Sequence, residues 1–243
     1  MSAYRSLLLR GIGSGGLSGL LAGLVGVLVV EAPIRAALAV EEARPAEPGA
    51  HDHGEVFSRG TQVVGGALAA VVVGLAVGAL FATAYAGARH WFPTRAPFTR
   101  AVWLSAAAFG VAVLLPAVKY PANPPGVGES TTVEYRTVLY LGLIAAGLLV
   151  VHGAGVLVRR LAHLPAPVRA AVTAVAVVAA LAVLLVVFPA TPDDVPADVP
   201  AGLLWEFRLA SLAEQATLWL GLGVVFGLLV DPAVRVRRRV SAL

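Results

Sequence analysis

Cysteine is absent from the 243 residues, lysine occurs once, at Lys119, and only 13% of the chain is Asp, Glu, Lys or Arg. Without cysteine there is no disulfide, no thiolate metal site and no cysteine nucleophile. The scarcity of charge excludes an ordinary soluble domain, in which about a quarter of the residues are charged. A phosphate-cradling Gly-rich loop with its lysine is missing too, because Lys119 lies in a proline-rich segment and the glycines sit in apolar runs. No HExxH pattern occurs, and His152 has no acidic neighbour at a usable spacing. The chain is therefore not read as an enzyme. The basic tail DPAVRVRRRV follows an apolar run. Membrane orientation and anionic lipid both account for it, so no nucleic-acid partner is expected.

What the chain has instead is apolar length. Hydrophobic residues make up 58% of it and the mean hydropathy is +0.84. Six runs, 11–30, 62–88, 101–118, 137–158, 170–188 and 209–230, approach or exceed the roughly 20 residues that cross a bilayer as a helix. Nothing alternates as a barrel strand would, and backbone amides in lipid must pair within their own segment. The expectation is an all-α, polytopic membrane helix bundle of about six transmembrane helices, forming one membrane domain over 1–243. The first run is preceded by Arg5 and Arg10, but its length and the following Glu31 and Arg35 favour a retained helix over a signal peptide.

Charge orients the helices. With both termini on one side, that side collects 12 of the 18 Lys and Arg residues, among them Arg5, Arg10, Arg159, Arg160 and the tail cluster from Arg235 to Arg239. The excess places both termini in the cytoplasm and the chain in the plasma membrane as a multi-pass protein. Twelve of the 14 acidic residues fall on the other side. That face should carry a negative potential that draws cations, unless its acids serve solubility alone.

The first outer loop, 31–61, carries EEARPAEPGAHDHGEVFSRG, in which His51 and His53 flank Asp52, with Glu55 close behind. Imidazole combined with carboxylate suits Co(II), Ni(II), Zn(II) or Cu(II) better than Mg(II) or Ca(II). The site would be weak and exchangeable, without a permanently bound cofactor. Within the spans, polar residues are functional candidates because lipid makes them costly. Glu31 and Gln62 are either interfacial caps or parts of an ion path, and His152 is either a core histidine or a path residue. In LLWEFRLASLAEQATLWLGLG, Arg208, Ser211 and Gln215 share a helical stripe near Glu214, facing a pore or a neighbouring helix. Glu214 and Gln215 are read as metal ligands. Glycines recur every fourth residue at Gly11, Gly15, Gly19 and Gly23, at Gly74 and Gly78, and at Gly223 and Gly227, the spacing of close helix packing.

In LLPAVKYPANPPGVGES, Leu114 to Val118 end the third span and YPANPP must leave the helix, because Pro121, Pro124 and Pro125 bring no amide protons and hold their predecessors extended. Its carbonyls, with Asn123, are expected to need partners, one of which is a passing cation. Lys119 is either an anchor that snorkels to the interface or an ion-pair partner of Glu31 or Glu206.

Taken with FSRGTQVVGGALAAVVVGLAVGALFATAYA and LLWEFRLASLAEQATLWLGLGVVFG, the segment PAVKYPANPPGVGESTTVEYRTVLYL resembles the CbtA family, predicted subunits of cobalt transporters. The resemblance implies uptake of a divalent transition metal, Co2+ or Ni2+, in the lipid bilayer beside a small single-span, CbtB-like partner subunit that carries its own histidines. It marks Arg59, Gln62, Lys119, Tyr120, Asn123, Arg136, Arg208, Ser211 and Gln215 as motif positions. The competing expectation is a scaffold that does not transport but stabilises or recruits a partner subunit.

Overall fold

A computed structural model describes residues 2–44, 57–88, 96–128, 130–191 and 194–231. Among them there are only helices and connections, with no strand, and six helices are long and apolar enough to cross a membrane. They run Ala3–Glu42, Arg59–Ala88, Pro97–Lys119, Val133–Arg160, Ala166–Val187 and Ala201–Val230. Every expected span is present, and most are longer than hydropathy indicates. Hydropathy stops at the first arginine or glutamate, whereas a helix continues through the headgroup region. The last helix, 30 residues long, spans about 45 Å at 1.5 Å per residue, so Arg208 and Glu206 lie within it rather than before it.

In chain order the elements are α1 (Ser2–Val25), a π-helical turn (Gly26–Val30), α2 (Glu31–Glu42), α3 (Arg59–Ala88), α4 (Pro97–Phe109), a second π-helical turn (Gly110–Leu114), α5 (Leu115–Lys119), a 3-10 turn (Ser130–Thr132), α6 (Val133–Arg160), α7 (Ala166–Val187) and α8 (Ala201–Val230). Both π-turns begin at a glycine and precede a proline, Pro33 or Pro116. A proline ring collides with the carbonyl four residues back, and widening the preceding turn relieves that collision.

The residues divide into two compact units, 1–109 with 122–127 and 196–243, and 110–121 with 128–195. In the first unit α1 packs on α3 through the glycines. A Cβ added to Gly11 would strike the Gly78 carbonyl, one on Gly15 the Gly74 carbonyl, and one on Gly19 the Ala70 carbonyl. This antiparallel register supplies the close backbone approach that drives helix association in lipid. Gly223 and Gly227 of α8 instead make room for the side chains of Ser105 and Phe98 of α4. Between these pairs sits a core of Phe81, Ala82, Tyr85, Ala101, Leu222, Phe226 and Val230. The Phe226 ring meets Phe81 and Tyr85 edge-on, with centroids 5.4 and 5.1 Å away.

The second unit shows how prolines are accommodated in lipid. Pro116 has no N–H for the Ala112 carbonyl, and the Tyr140 hydroxyl donates to that oxygen at 3.0 Å. Pro189 likewise offers nothing to the Leu185 carbonyl at the C-terminal end of α7, and Lys119 Nζ donates there at 2.9 Å. A compact ammonium suits this place, since it meets both a carbonyl without a backbone donor and the negative end of a helix dipole. Lys119 thus caps a neighbouring helix, and among the described residues it forms no ion pair with Glu31 or Glu206. Replacing it with methionine is expected to cost about 1–2 kcal/mol and to speed amide exchange in the last turn of α7, while exchange in α1 stays unchanged. Equal exchange in wild type and variant would refute the capping role. Along α7 no residue is buried, as expected of a helix whose solvent is acyl chain.

Candidate functional site

One cavity of about 200 Å³ brings together four polar residues of the first unit, Glu31, Arg59, Gln62 and Glu214. Its walls come from Gly23, Gly26, Val27 and Val30 around the first π-turn, Glu31 and Ile34 of α2, one face of the start of α3 from Arg59 and Gln62 to Ala67, and Glu214 of α8. The π-turn shapes it. An extra residue in one turn rotates everything beyond by about 100°, and Glu31, whose N–H bonds the Gly26 carbonyl, is the first residue after that shift.

Glu31 is held from two sides. Arg59 donates Nε to Oε1 at 3.0 Å and Nη2 to Oε2 at 2.5 Å, and Arg35 donates Nε to Oε1 at 2.8 Å. The Arg35 side chain is 69% exposed, so its pair contributes little. The side chains of Arg59 and Glu31 are 29% and 12% exposed, and this two-pronged bond is the stronger one. Arg59 Nη1 also donates to Gln62 Oε1 at 2.9 Å, and Gln62 Nε2 to the Phe57 carbonyl at 3.1 Å. Glu31 and Gln62 are therefore joined through one guanidinium.

Glu214 enters the cavity from the opposite wall. A Cβ on Gly26 would lie 3.3 Å from its Oε1, so the missing side chain at Gly26 makes room for the carboxylate. Among the described residues Glu214 has no hydrogen bond or ion pair. Farther along the α1–α8 seam Ser18 is fully buried beside Gly221, and its hydroxyl has no partner among the described residues. Ser18 stands about 12 Å from Gly26 by helical rise. Sequence reading missed it because a serine among glycines reads as one more small residue. Its spacing of four from Ser14, whose Oγ bonds the Arg10 carbonyl at 2.7 Å, was the available signal.

The proline-rich linker is tied down rather than open. Arg208 donates Nε to the Ala122 carbonyl at 3.2 Å and Nη2 to Asn123 Oδ1 at 3.1 Å. Arg44 donates Nη1 to the Gly126 carbonyl at 2.8 Å, and its Nε meets Asp198 Oδ2 at 2.7 Å. These oxygens, expected to coordinate a cation, already accept from guanidinium groups. Gly126, at a φ of 73°, adopts a backbone that side chains avoid. The arginine beside Asp198 holds its carboxyl below the ordinary aspartate range, chiefly through that hydrogen bond. The resulting stability is present above the unfolded value of about 3.9 and fades as pH falls through the lower folded value. Because Asp198 is exposed, the effect is small and sensitive to salt. Asp198→Asn is expected to remove this acid-side slope from thermal melts taken between about pH 5 and 3, and an unchanged slope would refute the assignment.

The model of the probable cobalt transporter subunit family CbtA matches residues 4–231, nearly the whole chain. The chain belongs to the CbtA family. No curated protein and no solved structure matches it.

Membership in a family of probable transporter subunits and the six long apolar helices together point to a multi-pass membrane protein. The CbtA motif positions do not all meet at the cavity. Arg59 and Gln62 line it, while Arg208 and Asn123 lock the linker. Lys119 caps α7, and the Tyr120 hydroxyl donates to the Pro189 carbonyl at 2.8 Å. Arg136 packs its guanidinium over Gly128, which has a φ of 105°. Gln215 is exposed and does not line the cavity, and Ser211 is half-buried outside its lining. His152 is exposed on α6. His51, Asp52, His53 and Glu55 lie outside the described residues. Among those described, no group of three or more His, Asp or Glu side chains could hold a metal ion.

Proposed function

We propose that this CbtA protein is the membrane-embedded subunit of an importer of divalent transition metal, with cobalt as cargo, both termini in the cytoplasm of a plasma-membrane protein, and a small single-span, CbtB-like subunit as partner. The observation that carries the reading is Glu214, a half-buried carboxylate in the middle of α8 that faces a cavity and has no partner among the described residues. A charge in that position is costly unless something neutralises it in use, and a passing cation does so. Glu31 and Gln62 add oxygen donors on the facing wall, and the Ser18 hydroxyl is the next polar group along the seam.

Oxygen donors alone do not prefer Co(II) to Mg(II). Selectivity in this reading comes from the imidazoles of His51 and His53 with Asp52 and Glu55 on the acidic outer loop, which concentrate the metal before it enters. The scaffold reading has one observation in its favour: the linker oxygens and Glu31 are occupied by arginines, as in a protein built to hold a shape.

Uptake of labelled cobalt separates the two readings. Cells expressing this chain with its partner are expected to accumulate more than cells expressing the partner alone. Equal accumulation, with the complex still recoverable from membranes, would favour the scaffold.

A further inference from the structure

The position of Arg59 is not explained by the stability of its own helix. It is the first residue of α3, the positive end of the helix dipole, where an acidic residue is favoured and a guanidinium is not. What holds it there is the cavity. Its Nε, Nη2 and Nη1 reach Glu31 Oε1, Glu31 Oε2 and Gln62 Oε1 at 3.0, 2.5 and 2.9 Å. These are oxygens that a divalent cation entering the cavity would use.

Building on the transport reading above, we propose that Arg59 is an internal stand-in for the transported cation, occupying the Glu31–Gln62 oxygen set when the cavity is empty and leaving it when M(II) arrives. A doubly charged ion at a similar distance attracts the carboxylate about twice as strongly as a guanidinium does, and Glu214 across the cavity adds a second carboxylate that Arg59 does not engage. The displaced guanidinium stays close to solvent, since its side chain is already 29% exposed. Arg35 remains on Glu31 Oε1 but is too exposed to compete strongly. The arrangement keeps the carboxylate neutralised at rest and makes affinity for the cargo the difference between two cations, which favours release as well as capture.

The test is binding of Co(II) to the purified full-length chain in lipid nanodiscs, measured by calorimetry and checked by uptake in cells. Arg59→Gln removes the competitor and is expected to tighten Co(II) binding about tenfold, while Arg59→Lys, which keeps the charge but loses the two-pronged fork, falls between it and wild type. Glu31→Gln is expected to weaken binding about tenfold, and adding Arg59→Gln to it should bring no gain. Thermal melts that match wild type confirm that the variants are folded. Should Arg59→Gln misfold, the Arg59→Lys comparison decides alone. Co(II) binding by wild type that neither Arg59 variant strengthens overturns the stand-in role and leaves the transport reading intact. Absence of Co(II) binding in wild type and both variants overturns both.

Discussion

Gly15→Leu is expected to remove most of the folded protein from membranes, whereas Gly13→Leu, two residues away, leaves abundance and melting temperature near wild type. A Cβ at Gly15 would strike the Gly74 carbonyl oxygen and come within 2.8 Å of Gly78 Cα, while one at Gly13 meets nothing within 4 Å. The obstacle at Gly15 is backbone, which has no rotamer to change, so α1 and α3 must separate. Overpacking of a well-packed contact costs about 1–3 kcal/mol, and here the separation also loosens the neighbouring contacts at Gly11, Gly19 and Gly78. Close backbone approach supplies much of helix association in lipid, so the loss should lie at or above the top of that range. Membrane abundance and thermal aggregation of detergent extracts measure it. Equal behaviour of the two leucine variants would show that the α1–α3 register is wrong.

Cobalt uptake by Glu214→Ala or Glu214→Gln should fall at least tenfold, equivalent to about 1.4 kcal/mol on the transport barrier, with membrane abundance unchanged or raised. The reason for the second half is that this carboxylate is half-buried and has no partner among the described residues. Removing an unpaired charge from such a place relieves desolvation and leaves no donor stranded. Loss of activity with retained stability is the mark of a residue kept for function at a cost to the fold. Gln215→Ala provides the control, because its side chain is exposed and outside the cavity lining. Uptake normalised to membrane protein would count against the site if both variants lost activity equally, or if Glu214→Ala lost abundance instead.

The contrast between Glu214 and Gln215 shows where sequence reading reached its limit. Both are polar residues in an apolar helix and near Arg208 and Ser211 in helical spacing, yet of these only Glu214 reaches the cavity. A step of one residue is about 100° of rotation, and which of two adjacent residues faces inward depends on where the neighbouring helix lies. Gly26, the first residue of the π-turn, leaves space opposite Glu214 alone. The π-turn at Gly26–Val30 likewise changes the phase of Glu31, so helical spacing counted from the glycines does not carry across it. Lys119 was conspicuous as the only lysine, but its role depends on a carbonyl 66 residues away that Pro189 leaves without a backbone donor.

The amino-acid sequence by itself determined that the chain is helical, that it crosses the membrane in six segments, and that glycine rows join its helices, and its motifs marked the CbtA family. These properties are local: peptide groups in lipid must pair within their own segment, and apolar length and four-residue spacing are visible in any short window. Tertiary structure decided which polar groups share a cavity, which arginine occupies Glu31, and which arginines hold the proline-rich linker. Those outcomes depend on the rotation and register of helices far apart in the chain, set by steric fit between backbones and by the pairing of carbonyls that proline leaves without donors.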